Sequence, residues 1–439
     1  MLRRKAKADQ LQLTMSLFSR DNVEIARYYL TILMVAGVFF GLVFSPPFIS
    51  VGLISLVILG LLDPLKGINP RWRNNFAATL RSPMFWAISS FYFLLVIGIW
   101  QTEDWGYLTE RLRIKIPLLA LPVIWPGLPV FSSRERGWLF GGFALFILGV
   151  LVAVMVNYSA NFDEINDMIK RGQAMPVPRN HIRFSLLVAL ATLLSIGAFR
   201  LKTFGWEKVW LVIGGLLFIG QHFLAVRSGL AGAYGGIGML VLALAWERGA
   251  WWPAVVGLIG LAALPVVAYV AVPSFKTKVN YARYELFHRN PAEDKGDYSD
   301  EGRLTSLRLG LQVWQDHPLL GVGPGNLLQE MDARYAEVLP GTEGKRPHNQ
   351  FISALAGSGL LGGLVTLGSF LILGWIGIRH KKPIYLAVWT VFFLSCLVEN
   401  TLETSAGVTM FCVFLLLVAG YPRPNPEAPT PPSKTCSPS

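Results

Sequence analysis

The chain has 439 residues, 53% of them hydrophobic and only 15% charged, with a net charge of +12. Apolar runs near the length of a bilayer crossing recur from end to end, which excludes an ordinary soluble protein and predicts an all-α, polytopic transmembrane helix bundle. The positive charge does not imply nucleic acid, because much of it (Arg3, Arg4, Lys5, Lys7, Arg20, Arg27, Lys66, Arg71, Arg73, Arg81, Arg134, Arg136, Arg379, Lys381, Lys382) falls where the positive-inside rule puts cytoplasmic segments.

Residues 1–27 are too polar for a signal-peptide core and read as a cytoplasmic lead. About twelve candidate spans follow. Nine lie within 28–272, near 28–45, 47–62, 84–100, 115–131, 138–156, 183–199, 209–226, 230–246 and 251–271; three lie within 351–421, near 351–374, 384–401 and 405–421. Short connections near 132–137, 201–208 and 247–250 predict antiparallel neighbours. Residues 422–439 are rich in Pro, Ser and Thr and read as a disordered cytoplasmic tail. With both termini inside, the polar segment 273–350 faces outward. Cys396, Cys412 and Cys436 have neither disulfide nor metal-ligand spacing.

Segment 273–350 holds ten basic and eleven acidic residues, so its charges matter individually. A short helix is expected over 277–290 and another over 303–316, with Leu304, Leu307, Leu311 and Trp314 on one buried face. Asp300 is placed to cap the latter and Pro318 to end it. Gly321, Gly323 and Gly325 demand a turn, and 326–338 reads as a further helix. Pro347 then breaks the chain before His348, at the mouth of the next span. The segment reads as a lid tied to the membrane at both ends.

His348 is the leading candidate for chemistry, since imidazole exchanges protons near neutral pH; Asn349 and Gln350 add polar groups beside it. The bland alternative is a polar ring at a membrane boundary. Arg303 offers a planar fork of donors suited to phosphate, or else an ion pair with Asp300 or Glu301. Arg308 ranks lower, as helical spacing points it elsewhere. Arg227 begins a turn rich in small residues and needs an anion, a carboxylate or lipid phosphate to compensate it. Arg179, His181 and Arg183, and likewise Arg111, Arg113 and Lys115, are either further anion ligands or membrane anchors. Glu399, Asn400 and Glu403 could pair with Arg227, orient His348, or form a structural ion pair. The sequence has no HExxH, Walker A, GxSxG or dinucleotide fingerprint, so no metal and no cofactor is expected.

Together, the Gly302-Arg303-Leu304 helix, the run Pro318-Leu319-Leu320-Gly321-Val322-Gly323-Pro324-Gly325, and His348-Asn349-Gln350-Phe351 before Gly357-Ser358-Gly359-Leu360-Leu361-Gly362 resemble the O-antigen ligase and polymerase superfamily. One departure is Leu307, where the family often has tryptophan or another large residue. The resemblance implies a metal-independent glycosyltransferase of the bacterial inner membrane, with its active site facing the periplasm. The donor it implies is an undecaprenyl-pyrophosphate-linked glycan, and a ligase would use lipid A-core as acceptor. By position, Arg227, Arg303 and His348 correspond to the family's two arginines and histidine; Arg179, Arg183, Arg308, Asn349 and Glu399 are secondary candidates for substrate contact. A Wzy-type polymerase acting on lipid-linked repeats, or a transporter for the same lipid-linked sugar, would share much of this sequence.

Overall fold

The computed structural model describes residues 20–202, 205–287 and 299–420. The sequence readings for residues 1–19 and for the tail, Cys436 included, lie outside the described residues. In chain order come α1 (Arg20–Phe44), α2 (Pro46–Leu61), a small antiparallel hairpin of β1 (Leu62–Asp63) and β2 (Gly67–Ile68), α3 (Pro70–Leu80) and α4 (Pro83–Ile97). α5 (Trp105–Ile124), α6 (Ser133–Ala160), α7 (Phe162–Lys170), α8 (His181–Leu201), α9 (Lys208–Leu224), α10 (Arg227–Arg248) and α11 (Trp251–Ala271) follow. The polar segment contributes α12 (Pro273–Phe287), α13 (Ser299–Asp316) and α14 (Leu327–Val338). α15 (Gln350–Arg379), α16 (Pro383–Val398) and α17 (Ser405–Ala419) close the described chain.

Seven of these helices, α1, α4 with its 3-10 extension, α6, α8, α10, α11 and α15, are long and apolar enough to cross a membrane, fewer than the twelve spans expected. α2, α9, α16 and α17 are apolar but only 16, 17, 16 and 15 residues long. A straight crossing needs roughly 20 residues. The span expected at 115–131 falls on α5, which already begins at Trp105, capped by the Asp104 carboxylate, and which carries Arg111, Arg113 and Lys115.

α17 shows why hydropathy alone misleads. Every residue from Val408 to Leu416 is fully buried. Its all-round hydrophobicity is that of a helix enclosed by protein. Phe414 packs on Phe39 and Phe143, and Phe411 meets Phe91, Phe370 and Phe392. α10 fits against α8 and α16 through its glycines, as small residues allow. A Cβ at Gly235 would lie 2.1 Å from Leu394, and one at Gly236 would lie 2.8 Å from Leu193. This packing gathers the start of α8, the start of α10 and the finish of α16 at one end of the bundle.

α15 is broken in the middle. Ser358 (φ −133°) and Gly359 (φ 62°, ψ −157°) leave the helical region. The glycine-rich run 318–325 inserts at this break. Leu360 N–H, freed from the helix, donates to the Pro318 carbonyl at 2.8 Å, and Val322 N–H donates to Ala356 O at 3.1 Å. Backbone meets backbone here: a Cβ on Gly321 would sit 2.6 Å from the main chain of Gly357, Ser358 and Gly359. Farther along, Pro324 rides on Gly98, and Asn326 donates to Gln101 O and accepts from Glu103 N–H. The segment expected to be a lid tied at two ends is therefore also fastened at its middle.

The buried face of α13 differs from the expected one. Leu304 is 68% exposed and Leu311 is also exposed, while Ser306, Leu309, Gly310 and Val313 are buried. Gly310 decides the rotation, because it lies against Pro347 and Ile352 at a distance no larger residue permits. Leu309 and Val313 join Leu327, Met331, Tyr335 and Ala356 in a small core under α15. Asp300 stands inside the first turn of α13 rather than ahead of it.

Candidate functional site

The gathered end of the bundle holds a three-residue contact built by three elements. Arg303, on the first turns of α13, donates from Nη2 to Glu399 Oε1 at 2.7 Å. His348, just before α15, places Nδ1 3.2 Å from Glu399 Oε2. Glu399 is the residue at which α16 stops, and it is 3% exposed. Its two oxygens are thus divided between a guanidinium and an imidazole. An ionised carboxylate can only accept, so Nδ1 carries a proton, and in the neutral ring Nε2 is then the acceptor.

The supports of His348 are local. Ser306, one turn after Arg303, accepts from His348 N–H at 3.2 Å and donates to Arg303 O at 2.7 Å. Asn349 caps α15, accepting from Phe351 and Ile352 N–H, and donates to Leu397 O at 2.7 Å. Both ends of its amide are engaged, which fastens the start of α15 to the finish of α16. A cap of this kind contributes about 1 kcal/mol.

The remaining candidates divide. Arg183, in the first turn of α8, lies close enough to Glu399 to favour its charge, and its Nη1 is buried without a hydrogen-bond partner among the described residues. His181 beside it lies in the field of both Arg303 and Glu399. Arg227 opens α10 at the same end of the bundle and is exposed. Arg308 is exposed, next to buried Leu309, and is not brought to the contact. Arg179 is exposed in the turn before α8, with φ 62°, and is likewise apart from the contact.

A second cluster adjoins the first through the same stretches of chain. Glu403, 8% exposed, accepts from Lys115 Nζ at 2.5 Å and Gln350 Nε2 at 2.9 Å, and Arg346 Nη1 lies 3.5 Å away. Arg111 donates to the Glu403 carbonyl at 2.9 Å. Sequence reading left Arg111 and Lys115 undecided and passed over Arg346 and Ser306. The available signals were the four-residue spacing of Arg111 and Lys115 on one helix, and the position of Arg346 two residues before His348.

Burial opposes ionisation of Glu399, but the His348 hydrogen bond and the charges of Arg303, His348 and Arg183 outweigh it and hold the carboxyl below its ordinary range. Burial likewise opposes ionisation of Glu403, and Lys115 and Arg346 with the Lys115 and Gln350 hydrogen bonds outweigh it. A carboxyl depressed in the folded state adds stability above its unfolded value and loses it as pH falls through the folded value. Melting temperature in detergent should therefore hold down to the ordinary glutamate value of 4.5 and decline below it. Glu399→Gln/Glu403→Gln protein should melt lower at pH 7, since removing one partner of a buried pair costs about 3–5 kcal/mol. It should also show a flatter acid limb, and scanning fluorimetry across pH reads both effects.

Fold and site together describe a helical protein of polytopic membrane type whose polar face concentrates arginine, histidine and ordered carboxylates at one end of the bundle. Residues 215–367 match the O-antigen ligase family, Wzy_C. The matched region runs from α9 into α15 and includes Arg227, Arg303, His348 and the break at Gly359, whereas Glu399 and Glu403 lie beyond it. The match supports kinship, at the superfamily level, with O-antigen ligase and Wzy-like membrane enzymes. No curated protein matches the chain.

Proposed function

We propose that this protein is an O-antigen ligase, transferring glycan from undecaprenyl pyrophosphate to lipid A-core oligosaccharide at the periplasmic face of the bacterial inner membrane. The observation that carries the reading is Glu399 bridging Arg303 and His348. In this reading the shorter apolar helices complete a bundle of about twelve spans. The lead and tail lie in the cytoplasm, and the gathered end faces outward.

The chemistry follows from the charges. Arg303 and Arg227 hold the pyrophosphate, whose negative charge grows as the bond to the anomeric carbon breaks. His348 accepts the acceptor hydroxyl's proton at Nε2 while Glu399 holds Nδ1–H and stabilises the imidazolium. The acceptor oxygen bonds to the anomeric carbon, undecaprenyl pyrophosphate leaves with the bonding pair, and the proton passes from His348 to solvent. The donor is already activated, so no nucleotide is consumed. Direct displacement inverts the anomeric centre, and a product of retained configuration would rule out this one-step route.

The test is reconstitution with lipid-pyrophosphate glycan and either lipid A-core or lipid-linked repeats. Glycan joined to lipid A-core, and lost in folded Arg303→Ala protein, supports ligase. Elongated lipid-linked product with no transfer to lipid A-core makes the protein a polymerase. Arg303→Lys should recover only a minor part of the activity, because a point charge cannot reproduce the bidentate fork.

A further inference from the structure

The cluster around Glu403 has more positive charge than its carboxylate can balance. Arg111, Lys115 and Arg346 all converge on this one residue. Arg111 reaches Glu403 only through its backbone carbonyl and pairs with the Glu110 carboxylate at 2.7 Å, but that side chain is 48% exposed and water screens the pair, so three cations still face one buried carboxylate. A purely structural clamp between α5 and the α16–α17 connection would need one cation per buried carboxylate. Surplus charge buried beside a membrane is unfavourable unless an anion compensates it.

Donors and acceptors are also left unused. Arg111 is 6% exposed and its Nε has no hydrogen-bond partner; Thr366 is 1% exposed and its hydroxyl has none among the described residues. Arg346 Nη1 is buried and, among the described residues, makes no hydrogen bond, only the 3.5 Å approach to Glu403. All three residues line one narrow cavity, which also reaches Ser353 and the break in α15 at Ser358. Such a set of unspent donors around excess positive charge suits an oxyanion.

We propose that this cavity is a second anion subsite, which holds a phosphate or carboxylate of the acceptor glycan while Arg303 and Arg227 hold the donor. The inference rests on the transfer reading above. Position favours the acceptor as the source of the anion. The cavity is lined from α4, α5, α14 and α15 and not from α13, which carries Arg303, and Arg346 precedes His348 by two residues. An acceptor anchored there would present a neighbouring hydroxyl to His348 from the side the donor does not occupy.

The experiment is equilibrium binding to the full-length protein in nanodiscs, using three probes: native lipid A-core, the same glycolipid after phosphatase and carboxyl esterification, and undecaprenyl pyrophosphate. Arg346→Gln is the variant of choice, because its side chain is only partly buried and its ion pair is the longest of the cluster. Loss of the guanidinium should weaken native lipid A-core by about tenfold or more. The neutralised glycolipid and undecaprenyl pyrophosphate should bind as before, and Arg346→Lys should restore part of the loss. Weakening confined to undecaprenyl pyrophosphate, with lipid A-core unchanged, would assign the cavity to the donor and overturn the proposal. Unchanged binding of every probe would leave the cluster structural and overturn it equally. If native protein binds undecaprenyl pyrophosphate but neither form of lipid A-core, the ligase reading itself fails and the subsite falls with it.

Discussion

Gly359→Ala is expected to cost the protein its fold. Gly359 has φ 62° and ψ −157°, a region open essentially to glycine alone. The added Cβ would also lie 2.2 Å from the carbonyl of Leu319, which is main chain and cannot swing aside. Backbone strain contributes on the order of 1–3 kcal/mol, and the overlap would force the 318–325 run out of the break. Total destabilisation should exceed about 4 kcal/mol, the range reached only by a specific structural lesion. Gly368→Ala on the same helix is the control, since a Cβ there meets nothing within 4 Å. Size-exclusion profiles and melting curves in detergent should show a wild-type-like Gly368→Ala protein and an aggregated or low-melting Gly359→Ala protein. Equal stability of the two would mean that the insertion does not hold the segment in place.

His348→Ala is expected to remove activity and leave the fold. The ring is partly exposed, and its contacts are to Glu399 through Nδ1 and to Ser306 through the backbone N–H, which alanine retains. Loss of a general base lowers kcat by about 10²- to 10⁴-fold. Donor affinity should change little, because Arg303 keeps its bond to Glu399. A kcat defect with an unchanged donor KM separates a proton-transfer role from a binding role. Glu399→Gln should lower kcat as well, but with weaker donor binding, because it neutralises the partner of both Arg303 and His348.

The sequence made some parts of this arrangement legible and concealed others, for physical reasons. Arg303 and His348 stood out because each is a chemically capable residue beside a helix boundary. Their meeting through Glu399 was only one of several pairings that charge alone allowed, since the residues are 96 and 51 positions apart along the chain. The helices α13 and α14 were readable from local spacing. Their orientation was not, because Gly310 must press against Pro347, a contact that overrides the leucine pattern. The glycines of 321–325 were recognisable as turn residues, and those of 357–362 entered only through the family resemblance. That Gly321 and Gly359 need each other's backbone is a tertiary fact without a local signature. Hydropathy did not separate the seven helices of full crossing length from shorter ones such as α16 and α17, whose 16 and 15 residues fall below a straight crossing.

The central claim is that the Glu399-bridged pair of Arg303 and His348 performs glycan transfer. The most direct measurement is the single-turnover rate of glycan transfer from undecaprenyl pyrophosphate to lipid A-core by purified protein in nanodiscs, for the native chain and for folded His348→Ala and Arg303→Ala variants. The account predicts transfer by the native chain and its near-complete loss in both variants. Transfer at the native rate by folded His348→Ala protein would contradict it.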